Sequence, residues 1–298
     1  MQNNNNNNND NRISRTFRAL SEKKEHALIC YVLPGYPDAK ASTTLKIVST
    51  MIEAGTDIIE VGIPFSDPIA DGPVIQEALY QSLNNGINPD ECLRVVSKIR
   101  KKFSELPIVA ITYYNILYKR GLNSFLKRSV ESGIDGFIVP DIPIEHCSEY
   151  VSQASKLGLA TPFLASPNTS ESRLRSIASM SSGFLYVVSV YGTTGMRKSF
   201  EKYTFDNIRK VKRIINSTNV TTSPIPIIVG FGINTPEHAK LLLDSGVDGI
   251  IVASKLVDKI KESRNNEAQM FQQIKAIVSS MKKACKEQPR STIRTYQK

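Results

Sequence analysis

The sequence predicts an α/β protein folded as a single (β/α)8 TIM barrel with an extra N-terminal helix. Three observations carry that prediction. Eight short apolar runs alternate with amphipathic stretches along the chain. The phrase glycine, any residue, aspartate, then an apolar run recurs at 55–57, 133–135 and 246–248, as expected where the helix of a repeated unit returns to a strand. The 298 residues hold one barrel of about 250 residues with ends to spare. No GxGxxG follows the first run, which argues against a dinucleotide-binding open sheet.

The elements follow in order. A leading helix over 13–24 is placed to cover the barrel bottom. The runs at 27–33, 57–63, 107–112, 136–139, 160–165, 184–190, 226–229 and 249–253 are the strands, and most are continuously apolar and β-branched. Parallel strands buried on both faces have that composition. Helices are predicted over 41–54, where Leu45, Val48 and Ile52 are the apolar positions, and over 89–103, where Leu93, Val96 and Ile99 make one stripe. Further helices occupy 122–132, 147–157, 170–178, 205–215, 236–243 and 270–281. Gly55, Gly133, Gly158 and Gly246 stand where four of these should stop, since glycine enters the left-handed region at little cost.

Composition bounds the function. Hydrophobic residues make up 41% and charged residues 22%, enough to build a full globular core. Residues 1–12, with asparagines at 3–9, have nothing to bury and are expected to be disordered. Residues 13–281 form the catalytic barrel, and 282–298 are read as a basic tail without a core pattern. Six basic residues against one acidic give that tail half of the net charge of +10. It is read as solvated rather than as a nucleic-acid arm, because no RNA- or DNA-binding motif accompanies it. No run nears the ~20 apolar residues that span a bilayer. Cys30, Cys92, Cys147 and Cys285 form no CxxC pair, so reduced thiols, a cytoplasmic setting and no metal are expected.

Chemistry in this fold belongs to the C-terminal ends of the strands and the loops after them. Glu60 interrupts an otherwise apolar second run, and a lone buried carboxylate must be paired, protonated or functional. Alternation puts it on one face with Ile58 and Gly62, and if that face is the barrel interior it points into the mouth. A structural glutamate held by an internal cation is the competing reading. The next loop holds Asp67 and Asp71 among Pro64, Pro68 and Pro73. Either aspartate alone could be a turn former, but carboxylates in unlike environments can divide acid and base work. Gly195 after the sixth run, Phe231–Gly232 after the seventh and Ala253–Ser254 after the eighth read as a phosphate cradle of backbone N–H groups. From the residues alone this is a phosphate-binding barrel with a two-carboxylate apparatus, its substrate unnamed.

The stretch 59–76, IEVGIPFSDPIADGPVIQ, resembles the signature of tryptophan synthase α chains. The similarity runs in order through Pro34–Gly35, Tyr113, Asn115, the PDIP at 140–143, the GTTG at 192–195 and the GFGI at 230–233. The resemblance implies retro-aldol cleavage of indole-3-glycerol phosphate to indole and glyceraldehyde 3-phosphate, late in L-tryptophan biosynthesis, with Glu60 and Asp71 as catalytic residues. It implies a pocket tyrosine at Tyr186, and a substrate site of Tyr31, Ile111, Ile138, Leu164, Phe231 and Ile251 around the indole. Gly195, Gly232 and Ser254 would hold the phosphate, with Ala253 where a glycine is usual and its Cβ able to crowd the anion. Thr194 would reach Asp71 on loop closure. Pro64 and Asp67 would face a β subunit that carries pyridoxal phosphate, in an αββα tetramer with an indole tunnel, while this chain carries no cofactor. A stand-alone indole-releasing lyase and a catalytically silent allosteric barrel stay open as alternatives.

Overall fold

The computed structural model describes residues 11–188, 202–215, 217, 225–230 and 232–286. In chain order the elements are α1 (Arg12–Glu22), β1 (Ala27–Val32), α2 (Ala41–Glu53), β2 (Ile58–Gly62), α3 (Pro73–Asn84), α4 (Pro89–Lys102), β3 (Ile108–Ile111) and α5 (Tyr114–Lys119). They continue with α6 (Leu122–Ser132), β4 (Gly136–Ile138), α7 (Ser148–Lys156), β5 (Leu164–Ala165), α8 (Glu171–Met180), β6 (Leu185–Val188) and α9 (Lys202–Ile215). The last are β7 (Ile227–Gly230), α10 (Pro236–Asp244), β8 (Gly249–Val252), α11 (Ser254–Glu262) and α12 (Glu267–Lys286).

All strand pairs are parallel, in the order β4-β3-β2-β1-β8-β7-β6-β5. The ring closes between β4 and β5 through the Gly136–Ala160 bridge, where the Phe137 N–H donates to the Ala160 carbonyl at 2.9 Å. The predicted fifth strand, 160–165, is thus only half realised. Pro162 has no N–H to donate, and the Thr161 N–H turns to the Ser182 hydroxyl at 2.9 Å.

Alternation along each strand sorts the side chains into two cores. Ala27, Ile29, Ile58, Val109, Ile138, Ile228 and Ile251 fill the interior, whereas Cys30, Ile59, Val61 and Ala110 pack under the helices. Helix α1 closes the bottom: Ile13, Phe17 and Leu20 lie on one stripe, and the Phe17 and Phe184 rings meet at 6.0 Å. The strands end at the opposite end of the barrel from this seal.

The glycine-x-aspartate turns share one construction. Asp57, Asp135 and Asp248 each accept the backbone N–H of an early residue in the preceding strand, Leu28, Ile108 and Ile227, at 2.7, 2.8 and 2.7 Å. Each turn also receives a cation from a neighbouring helix. Lys282 meets Asp57 at 2.9 Å, Arg100 meets Asp135 at 2.7 Å, and Lys212 acts on Asp248. The cation's side chain lies over the glycine, where a Cβ on Gly55, Gly133 or Gly246 would come within 2.8, 2.6 or 2.0 Å of it.

Three helices and one boundary differ from the sequence reading. Helices α3, α5 and α11 were not anticipated, although Ile75, Ala78 and Leu79 in α3 and Leu256, Val257 and Ile260 in α11 have helical spacing. Helix α12 runs five residues past the expected start of the basic tail, to Lys286. Lys282 and Cys285 are buried there, and the Cys285 carbonyl accepts the His26 N–H at 2.9 Å. Lysine at 282 reads as tail because its role depends on Asp57, far away in sequence.

Candidate active site at the mouth of the barrel

Glu60 lies two residues before the end of β2, in register with Tyr31 of β1 and Val109 of β3. It shares the interior face with Ile58 and is 2% exposed. No cation holds it; its Oε2 has no hydrogen-bond partner among the described residues. Burial, with the nearby Asp71 charge adding to it, pushes its carboxyl up to about 8. The reading of Glu60 as a structural glutamate paired to an internal cation is therefore not supported.

The loop after β2 brings Asp71 back over the mouth. Pairing with β3 continues past the strand, since the Ile63 N–H donates to the Ile111 carbonyl at 3.0 Å. Pro64 is buried within the chain, while Asp67 beyond it is exposed. Gln76, in the first turn of α3, donates to the Asp71 carbonyl at 2.8 Å and so ties the loop's end to that helix. Tyr113 fixes the carboxylate: its hydroxyl donates to Asp71 Oδ2 at 2.6 Å and accepts the Ala70 N–H at 3.0 Å. Its ring packs on Phe65 at 5.2 Å. Burial raises Asp71 to about 6, with the Tyr113 bond opposing the rise.

The rest of the interior mouth is apolar with tyrosine tips. Ile138, Tyr186 and Ile251 belong to the interior cluster, and Ile111 and Leu164 pack against it. Tyr31 and Tyr186 place their hydroxyls over Gly62 and Gly230, where an added Cβ would sit 2.1 and 2.2 Å away. Both phenols are pushed well up, first by burial and then by the two carboxylates, Asp71 before Glu60 at Tyr31 and Glu60 before Asp71 at Tyr186.

Across the mouth, two helix N-termini differ in a way that matters for an anion. Thr235 caps α10 with its own side chain, accepting the His238 N–H at 3.2 Å. Ala253 precedes α11 and supplies no side-chain cap, so the first N–H groups of that helix are left for a ligand. Gly232 has φ +76°. Ala253 has φ −119° and ψ −77°. Thr194, Gly195 and Phe231 lie outside the described residues. Among the described residues no group of three or more His, Cys, Asp or Glu could hold a metal, and no helix is long and apolar enough to cross a membrane.

Tyr113 and Gly62 carry more of this site than their sequence context indicates. Tyr113 meets a carboxylate 42 positions earlier, and no periodicity marks such a pair. Gly62 sits inside a strand, where a glycine flags a close approach, and that signal was available.

Residues 17–286 match the family described as tryptophan synthase alpha chain. The chain belongs to the tryptophan synthase α family. An alpha chain from Thermoanaerobacter sp. is 42% identical over 272 residues, covering 91% of this chain and 98% of that one. The alpha chain of Pyrococcus furiosus is also 42% identical, over 83% and 95%. The crystal structure of the tryptophan synthase alpha chain from Legionella pneumophila superposes with a TM-score of 0.81 at 32% identity, covering 93% of this chain and 97% of that one. One chain of the tryptophan synthase complex from Pyrococcus furiosus does so at 0.76 and 37%, covering 86% and 98%. As a member of the tryptophan synthase α family the chain is a carbon–carbon lyase of tryptophan biosynthesis. It cleaves indole-3-glycerol phosphate to indole and glyceraldehyde 3-phosphate, and it works with a partner subunit.

Proposed function

We propose that Glu60 and Asp71 divide the cleavage between them. What supports this is a pair of buried carboxyls in unlike surroundings, Glu60 without a partner for Oε2 and up at about 8, and Asp71 bonded by Tyr113 and at about 6. Near neutral pH Glu60 is then protonated and Asp71 ionised. Glu60 gives its proton to C3 of the indole ring, and Asp71 stabilises the positive charge that develops at the ring N–H. The Glu60 carboxylate next takes the proton of the glycerol hydroxyl beside C3. The carbon–carbon bond breaks, its electrons restore the indole, and the hydroxyl carbon becomes the aldehyde of glyceraldehyde 3-phosphate. Glu60 ends protonated, as it began.

The phosphate is held by the uncapped start of α11, by Ser254 and by the Gly232 turn. The indole lies on Ile111, Ile138, Leu164 and Ile251. The exposed Asp67 on the loop that carries Asp71 couples the site to a β subunit. That subunit holds pyridoxal phosphate and receives indole within an αββα tetramer in the cytoplasm.

Indole release by the purified chain, measured with and without a β subunit, tests the reading. Slow turnover alone that rises with the partner is expected. Full turnover alone would favour a stand-alone lyase, and none in either case would favour a silent barrel.

A further inference from the structure

The tyrosine on β1 was expected only as an apolar wall, yet its polar end is the part the structure places with care. Tyr31 is 3% exposed, and its Cα is in direct register with that of Glu60. Side chains so paired on adjacent parallel strands lie side by side on one face. The ring runs toward the mouth over Gly62, and only the missing Cβ at 62 admits the hydroxyl there, at 2.1 Å from where that atom would stand. The hydroxyl makes no hydrogen bond to a described residue, and Glu60 beside it has a buried oxygen without a partner among the described residues. A buried carboxylate oxygen left unpaired is costly unless something joins it during function.

We propose that Tyr31 is a positioning residue whose hydroxyl donates a hydrogen bond to the Glu60 carboxylate each time that group gives up its proton, using the space that Gly62 leaves. This rests on the two-carboxylate reading and adds a third member to it. The other groups that face Glu60 are committed elsewhere or differ in kind. Asp71, from the loop after β2, is an acceptor already bonded by Tyr113 at the start of α5. Tyr186 approaches from β6 and sits over Gly230. Cys92 of α4, near Tyr31, points its thiol to the Gly62 carbonyl at 3.7 Å. Asp71 also acts on the Tyr31 hydroxyl, so the experiment separates the two carboxylates.

The test is the pH profile of indole release by the full chain, comparing the wild type with Tyr31→Phe, which keeps the ring and its packing. A donor to the Glu60 carboxylate makes Glu60 a stronger acid. Its loss weakens C3 protonation and raises the Glu60 pKa. Expected are a kcat about 10-fold lower at pH 7, a KM changed by less than about two-fold, and an alkaline limb shifted up by about one pH unit. A packing defect lowers the rate at every pH and moves neither limb. An unmoved alkaline limb overturns the inference, as does a shift of the acid limb alone, which would assign Tyr31 to Asp71. Glu60→Gln is run beside it. If that variant stays active the two-carboxylate reading falls, whereas an inactive Glu60→Gln with an unaffected Tyr31→Phe removes only the role of Tyr31.

Discussion

Glu60 owes its chemistry to what surrounds it rather than to any partner. Interior packing on β2 strips it of water, and Asp71 adds a like charge, so its carboxyl is held up at about 8. Asp71 differs through one bond, the Tyr113 hydroxyl, which restrains its rise to about 6. If ionised Asp71 and protonated Glu60 are both required, activity is bell-shaped. It falls as pH drops through about 6 and as pH rises through about 8, with the pair titrating together. Tyr113→Phe removes a donor to the Asp71 carboxylate, so the Asp71 pKa rises further and the acid limb moves toward neutral pH. A loss of about 10-fold in kcat at pH 7 is expected from a pH series on that variant. Glu60 was legible in the sequence because a lone charge in an apolar strand is anomalous. The parts played by Tyr113 and by the Tyr31 hydroxyl were not, since each depends on a chain segment that approaches only after the barrel closes.

At the scale of elements, the glycine-x-aspartate turns show what a repeat in sequence can hide. The recurrence was visible, and so was the glycine stop of each helix. The cation crossing each glycine was not, because Lys282, Arg100 and Lys212 come from three different helices. Two glycines separate the backbone cost from the crossing. Gly158 has φ +73° with nothing within 4 Å of an added Cβ, whereas Gly133 has φ +101° with Arg100 at 2.6 Å. Arg100 cannot easily withdraw, since it donates to the Gly133, Phe103, Ser104 and Leu106 carbonyls as well as to Asp135. Gly158→Ala should cost about 1 kcal/mol in urea unfolding, the price of the left-handed backbone alone. Gly133→Ala should cost at least about 2 kcal/mol more, from crowding and displaced hydrogen bonds. Equal costs would show that the crossing contributes nothing. Helices α3 and α11 escaped the sequence reading for a different reason. Each begins directly at a functional loop, where glycines, prolines and a serine dominate the local signal.

The whole molecule is a ring sealed at one end and reactive at the other. Helix α1 plugs the bottom, and α12 locks it through Lys282, which binds both Asp57 at 2.9 Å and Glu25 at 3.4 Å. A chain ending at Met281 loses this lysine and the His26–Cys285 backbone bond, leaving Asp57 buried without its cation. It should unfold about 3 kcal/mol more readily than a chain ending at Lys286, with the indole-release rate per folded molecule unchanged. Matching urea curves for the two would contradict the lock. The alternation of strands and helices, the closing of the bottom and the second-strand carboxylate could all be anticipated from periodicity and burial. The far end was legible only through the family resemblance, because closure is what gathers Tyr31, Glu60, Asp71 and Tyr186 so that both carboxylates act on both phenols. The most direct measurement of that gathering is single-turnover cleavage of indole-3-glycerol phosphate by Glu60→Gln, which keeps the shape and removes the proton. The account predicts a chemical step slower by at least about 100-fold with substrate affinity nearly unchanged. Cleavage within a few-fold of the wild type would contradict it.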